Sequence, residues 1–140
     1  MEALIAHLLG DYFFQSDWMA INKTKRTWIC IVHAAIYTMT FLVFMLIGQL
    51  PLSYKALLSI GVSHFIIDRV YPARYICFIK NFMAPRSWWP VWKECWMTGY
   101  KIGDHSQDPT SKPAFLAVWL MIIVDNSLHI IINWYSIKFF

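Results

Sequence analysis

The sequence predicts an all-α integral membrane protein, and three observations support this fold class. Only 14% of the 140 residues are charged and 59% are apolar, whereas soluble domains carry about 25% charged residues. Residues 27–50 contain no Asp, Glu, Lys or Arg, and about 20 such residues cross a bilayer core. Residues 114–137 are almost as apolar, with one acid, Asp125. We therefore expect one membrane domain, residues 1–140, built as a bundle of about four transmembrane helices.

The other two predicted spans are shorter or more polar. Residues 53–71 end in Asp68 and Arg69, and Pro72 closes this helix. Residues 4–21 contain several polar side chains. This first helix therefore either crosses the membrane or is buried among the other helices.

Residues 73–112 form a cytoplasmic or interfacial segment in which Pro and Gly interrupt any long helix. Trp89, Trp92 and Trp96 have i, i+3, i+7 spacing. This spacing predicts a Trp-rich helix that lies in the membrane interface before the last span. The alternative is that these indoles pack on the bundle.

A polar loop, residues 103–109, lies within this segment. We expect a turn in which Asp side chains accept hydrogen bonds from backbone amides. The alternative is a lid that supplies His105 or Asp108 to a cytoplasmic site.

The basic residues indicate an orientation, because cytoplasmic loops are enriched in Lys and Arg. The second connection carries only Lys55. The first and third connections carry nine cations, which are Lys23, Lys25, Arg26, Arg74, Lys80, Arg86, Lys93, Lys101 and Lys112. Arg69 ends the third span, and Lys138 on the expected outer side is a single exception. We therefore expect both termini outside the cytoplasm. The cations form no run or stripe, which argues against nucleic acid as a partner.

Ionisable residues lie inside the predicted spans, where each costs about 2.5–3.5 kcal/mol. The pairs at four-residue spacing are His7 with Asp11, His64 with Asp68, and Asp125 with His129. This spacing places an imidazole and a carboxylate on one helix face. His33 adds an imidazole from the second span, and Gln15 extends the first pair by one turn. We expect these side chains to face a shared interior of the bundle.

Three interpretations of this polar set stay open. One is a site for a divalent metal such as Zn or Mn, which mixed nitrogen and oxygen donors suit. The others are a proton or ion relay and a structural hydrogen-bond network. The candidate metal ligands are His33, His64, Asp68, Asp125, His129 and Asp11, and the candidate catalytic residues are Asp11, Asp68 and Asp125. A second tier comprises His7 and Gln15, and the candidate headgroup-binding residues are Arg69 and Arg74.

A bound metal would support hydrolysis, because it lowers the pKa of water and polarises a carbonyl or phosphoryl oxygen. The predicted depth of the site favours a lipid or lipid-linked substrate. The sequence contains no G-x-S-x-G, H-E-x-x-H or P-loop motif. From the polar set and its predicted depth, we expect a membrane-embedded metal-dependent hydrolase. The alternative is a non-enzymatic phage or bacterial membrane protein that acts in lysis, exclusion or membrane remodelling, or a relay.

Several blocks of the sequence resemble a bacterial and phage membrane-protein family catalogued as domain of unknown function 3307. The blocks are His7–Gln15 followed by Asp17 and Lys23, His33–Tyr37, Ser63–Arg69 with Ala73–Tyr75, and Val124–His129. The resemblance implies a bacterial or phage origin and a multi-pass protein of the bacterial inner membrane, and it carries no established activity. In placing His and Asp inside its predicted spans, the sequence is also similar to small bacterial membrane proteins described as metal-dependent hydrolases.

Overall fold

A computed structural model describes all 140 residues, and its regular structure is helical. The chain divides into two compact units. Unit 1 comprises Met1–Tyr71 with Leu128–Phe140, and unit 2 comprises Pro72–Ser127. The all-α class is therefore confirmed, whereas the single-domain organisation stays a prediction.

Unit 1 contains four α-helices and part of a fifth. Their bounds are α1 Glu2–Leu8, α2 Asp17–Asn22, α3 Thr27–Leu46, α4 Tyr54–Val70 and the C-terminal part of α7, which spans Ala114–Phe139. Leu9–Phe13 continues α1 as a π-helix. Ser16 and Ser53 cap α2 and α4, because each side chain accepts a hydrogen bond from a first-turn amide.

Unit 2 contains α5, Ala73–Lys80, the short α6, Trp92–Cys95, and the N-terminal part of α7. Two 3₁₀ turns, Asn81–Met83 and Arg86–Trp88, lie between α5 and α6. The expected Trp-rich helix is wrong in extent. Trp89 has an extended backbone and α6 has four residues.

Two helices are long and apolar enough to cross a membrane, α3 and α7, rather than the four that we expected. The first predicted span is divided into helices of seven, five and six residues. Helix α4 has 17 residues, so it is about 25 Å long against a hydrocarbon core of about 30 Å. Polar capping residues explain the division, since Ser16 begins a new helix.

Helix α3 ends at Leu46, earlier than the expected boundary at Leu50. Gly48 adopts a left-handed conformation with φ of 74°. The amides of Gln49 and Leu50 then donate to the Phe44 carbonyl. This arrangement closes the helix before Pro51 is reached.

The core of unit 1 lies between α1, α3 and α4. Its buried side chains are Ala6, Tyr37, Phe41, Met45, Leu50, Ala56 and Ile60. Gly10 permits the π-helix to approach α3, because a Cβ atom there would lie 2.6 Å from Cδ2 of Tyr37. This close approach positions the next residue, Asp11, against the histidines of the bundle.

Candidate metal centre

Four segments of unit 1 bring polar side chains into one buried cluster. The π-helix supplies Asp11, α3 supplies His33, and α4 supplies His64 and Asp68 from successive turns. His129 comes from α7. The side chains of Asp68, His33, His64 and His129 are at most 2% exposed, and that of Asp11 is 10% exposed. The cluster is therefore nearly closed to solvent.

Three ligand atoms form a compact triangle within this cluster. The Nε2 atoms of His33 and His64 are 2.9 Å apart. Each lies 3.2 Å from Oδ2 of Asp68. A tetrahedral zinc ion with bonds of about 2.0–2.1 Å requires its ligand atoms to be about 3.3 Å apart. The triangle therefore has the size that such an ion needs.

Asp11 approaches the same two imidazoles. Its Oδ1 atom is 3.1 Å from Nε2 of His33 and 3.4 Å from Nε2 of His64. Asp11, His64 and His129 form a second group whose ligand atoms all lie within 4.8 Å of one another. The two groups share His64, so the cluster offers two alternative sets of metal ligands.

The orientation of the His64 ring is defined by contacts on its face and at both nitrogens. Its Nδ1 atom lies 3.1 Å from Nδ1 of His129. The ring of Tyr37 stacks on it at 3.6 Å between centroids, with an interplanar angle of 14°. If Nε2 binds a metal, Nδ1 carries the proton and donates a hydrogen bond to Nδ1 of His129. A metal-binding histidine commonly makes such an outer hydrogen bond.

Lys23 brings an ammonium group into the cluster. Its Nζ atom lies 3.0 Å from Oδ2 of Asp68 and 3.2 Å from Nε2 of His33. With neutral histidines, Asp11, Asp68 and Lys23 together carry a net charge of −1. An uncompensated buried charge is costly, so the cluster has a physical requirement for a further positive charge.

His7 belongs to the margin of the cluster. Its Nδ1 atom lies 2.8 Å from the Tyr37 hydroxyl and 3.4 Å from Oδ2 of Asp11. The Asn133 side-chain amide donates to the same hydroxyl. His7 therefore contacts both Tyr37 and Asp11, and its second-tier role stays a prediction.

Other expected site residues have different surroundings. Gln15 is half-buried, and its Oε1 atom has no hydrogen-bond partner. Asp125 belongs to unit 2 and is half-buried, so its role as a ligand stays a prediction. Arg69 donates to the Thr24 carbonyl and to Oγ1 of Thr27.

Arg74 contacts a neighbouring side chain in unit 2. It donates to the hydroxyl of Tyr75, and its guanidinium carbon lies 4.7 Å from the centroid of that ring. Both candidate headgroup arginines thus already contact protein groups. Headgroup binding by them stays a prediction.

Sequence reasoning missed Lys23, Tyr37 and Asn133 as members of the site. Tyr37 follows His33 by four residues and Asn133 follows His129 by four residues, so helical spacing could have identified both. Lys23 counts in the sequence as a loop cation and as part of the first block of the family resemblance, and no spacing signal connects it to α4.

The comparison with protein families gives a match that covers most of this site. Residues 1–93 match the family described as protein of unknown function, DUF3307. The chain belongs to the DUF3307 family. The matched region includes Asp11, Lys23, His33, His64 and Asp68. The Val124–His129 block lies outside it, so the match is shorter than the resemblance suggested. No curated protein and no solved structure matches the chain.

Proposed function

We propose that this DUF3307 protein is a membrane protein with a divalent metal centre, best suited to Zn²⁺, and that the centre hydrolyses a lipid or lipid-linked substrate. The observation that carries the proposal is the buried triangle of His33, His64 and Asp68, with edges of 2.9–3.2 Å. Two imidazoles and one carboxylate with an open fourth position are the ligand pattern of hydrolytic zinc sites.

A bound metal ion would polarise a carbonyl or phosphoryl oxygen and lower the pKa of water. The other groups have roles that follow from their positions. Asp11 is the carboxylate left over when Asp68 binds the metal, and it accepts a proton from water as general base. Its side chain and that of Lys23, which is 13% exposed, form the more exposed margin of the cluster. Water and ions enter there.

A lipid substrate follows from the surroundings of the centre. Helix α3 and the unit 1 part of α7 present exposed apolar side chains, among them Trp28, Val32 and Ile131. Such surfaces are stable in contact with lipid. We propose that both helices cross the bacterial inner membrane, with the orientation that the loop charges indicate, so that lipid is the molecule present at highest concentration around the site.

A proton relay is the second candidate, and a chain of imidazoles favours it. The imidazoles of His33, His64 and His129 form a continuous row. Ring nitrogens of His33 and His64 are 2.9 Å apart, and those of His64 and His129 are 3.1 Å apart. One additional proton would bring the charge of the cluster with Lys23 to zero. The same requirement for positive charge is thus met without a metal.

Metal analysis of the detergent-purified full chain distinguishes the two candidates. After chelation and reloading with Zn²⁺, we expect about one ion per chain. His64→Ala and Asp68→Ala should lose it, because each removes a ligand of the triangle. His105→Ala is the matched control, since His105 lies in the unit 2 loop, and it should retain the ion. Absence of stoichiometric metal in the wild type would contradict the proposal. Liposome proton flux then tests the relay.

Two further variants separate ligands from catalytic groups. His129→Ala should lower zinc affinity by about 10–100-fold without abolishing binding, as expected for an outer partner. Asp11→Asn should retain zinc and lower the rate of lipid-ester or phosphodiester hydrolysis by about 10²–10⁴-fold. If His129→Ala loses the metal and His33→Ala keeps it, the second ligand group is the correct one.

A further inference from the structure

Unit 2 contains a pocket of about 280 Å³ that is distinct from the His/Asp cluster. Its lining includes Trp88, Trp89, Glu94, Tyr100, Lys101 and Lys112. The side chain of Tyr100 is buried at 4% exposure. The indoles of Trp88 and Trp89 are about half exposed. The pocket thus combines aromatic walls with charged groups.

The position of Tyr100 is set by backbone packing. Gly99 has φ of 76°, and a Cβ atom there would lie 2.2 Å from the Arg74 carbonyl oxygen. The side-chain amide of Asn81 donates to the Cys77 and Gly99 carbonyls. These contacts hold the segment before Tyr100 directly on α5, so the pocket is built by the fold.

Two lysines converge on the Tyr100 ring. Nζ of Lys80 lies 5.2 Å and Nζ of Lys112 lies 5.6 Å from the ring centroid. Neither ammonium has a carboxylate within ion-pair distance, whereas Lys101 is paired with both Glu94 and Asp108. These two cations beside one ring therefore have no carboxylate partner in the protein.

Lys112 is held there by the main chain. Its amide donates to the Lys101 carbonyl, and its carbonyl accepts from the Gly103 amide. An isolated β-bridge joins it to Ile102. The backbone that carries the Lys112 ammonium is therefore fixed by hydrogen bonds. This lowers the conformational entropy that the segment loses when a ligand binds.

We propose that this pocket binds the phosphate group of a phospholipid headgroup, held by Lys112 from the pocket lining and by Lys80, whose ammonium lies beside the Tyr100 ring, with the indoles of Trp88 and Trp89 at its rim. A phosphate supplies the anion that the two lysines lack. Indoles are enriched where headgroups meet acyl chains, which favours a lipid over free phosphate as the source. The proposal shares only the membrane location with the proposed function and does not depend on a metal.

The test uses the full chain in an uncharged detergent and follows tryptophan fluorescence. The probes are dihexanoyl phosphatidylglycerol, dihexanoylglycerol and inorganic phosphate. We expect saturable binding of the phospholipid and none of the phosphate-free lipid. Inorganic phosphate should bind at least about 100-fold more weakly, because it lacks the apolar contact. Equal or tighter binding of inorganic phosphate would overturn the assignment to a lipid.

Charge variants test the lysines themselves. Lys112→Gln and Lys80→Gln should each weaken phospholipid binding by at least about tenfold. Lys93→Gln is the matched control, because it removes the same charge from an exposed position outside the pocket, and it should bind as the wild type does. Equal losses in all three variants, or no loss in the Lys112 and Lys80 variants, would overturn the site. Lys80→Gln, at an exposed helix end, keeps the test valid if Lys112→Gln fails to fold.

Discussion

Lys23 is the residue whose charge most directly affects the metal centre. Its ammonium neutralises one of the two carboxylates, so the cluster with Lys23 lacks one positive charge. If a divalent ion binds while Lys23 stays, the total charge becomes +1. If Lys23 leaves, the total becomes zero. Metal binding and the Lys23–Asp68 ion pair therefore compete for the same carboxylate.

Lys23→Gln should raise zinc affinity by about tenfold or more, which corresponds to about 1.4 kcal/mol. The variant removes the competing cation, and in the metal-free protein it leaves Asp68 with less compensation. We therefore expect a lower free energy of unfolding without metal. Zinc titration of the chelated protein measures the first effect and detergent-based denaturation measures the second. Lys25→Gln is the control, and unchanged zinc affinity in Lys23→Gln would contradict the competition.

The candidate site was predictable from the sequence at those residues that one helix places together. His64 and Asp68 have the four-residue spacing that brings two side chains to one face, and both lie in the triangle. The partnership of Lys23 with Asp68 could not be predicted in this way. It joins residues 45 positions apart, and only the packing of the α2–α3 turn near the end of α4 brings them together.

At the scale of elements, the π-helix Leu9–Phe13 determines where Asp11 points. A π-turn inserts an extra residue per turn and often occurs at functional sites. Gly10 lies against Tyr37, whose hydroxyl contacts His7 and Asn133. The ring therefore cannot move freely to accept a larger neighbour.

Gly10→Ala should lower the free energy of unfolding by about 1–3 kcal/mol, the usual cost of overpacking. Alanine has a higher helix propensity than glycine, which by itself would stabilise the variant by about 1 kcal/mol. The contact of 2.6 Å to a fixed ring destabilises the variant by more than this. Zinc affinity should also fall, since Asp11 and His33 share the displaced region. Leu8→Ala, at an exposed position of α1, is the control for both measurements. A stabilised Gly10→Ala protein would show that the π-helix has room to relax.

The loop of residues 103–109 adopts the turn that the sequence predicts. Asp104 Oδ1 accepts hydrogen bonds from the amide and hydroxyl of Ser106, and Asp108 Oδ1 accepts the equivalent pair from Thr110. His105 contacts the Ser111 carbonyl through Nδ1. The Asp side chains thus cap backbone amides.

The hydroxyl of Thr110, followed by the ammonium of Lys101, lowers the pKa of Asp108 from its ordinary value of 3.8 to about 2. Because the folded pKa is depressed, the stabilisation is fully present above about pH 4 and is lost as pH falls through about 2. A carbon-13 NMR titration of the carboxyl group should show this midpoint. Thr110→Val should raise the pKa of Asp108 towards the ordinary value, and an unchanged midpoint in that variant would assign the shift to Lys101 and the Thr110 amide.

At the scale of the whole molecule, the exposed apolar surface is the main physical property. Side chains such as Phe115, Trp119 and Ile123 on α7 are more than half exposed. Water is a poor solvent for such a surface, whereas lipid removes its cost. This property supports a membrane location independently of the metal centre.

We expect the expressed chain to remain in the membrane pellet after an alkaline carbonate wash and to enter solution only with detergent. Ile123→Lys should lower the inserted fraction, because a lysine inside a span costs about 2.5–3.5 kcal/mol. Ile102→Lys introduces the same charge at an exposed loop position and should leave insertion unchanged. Release of the wild type by carbonate would contradict the proposal that α3 and α7 cross the membrane.

The sequence by itself determined the helical class, the two long apolar helices and the local pairs His7–Asp11 and His64–Asp68. Composition and short-range spacing are sufficient for these properties, since they depend on neighbours within one or two turns. The tertiary structure decided the number of candidate spans and the membership of the cluster. Caps at Ser16 and the turn at Gly48 set the helix lengths, and close packing at Gly10 brought Asp11 to His33. Contacts between distant segments depend on three-dimensional packing, which spacing along one helix does not encode.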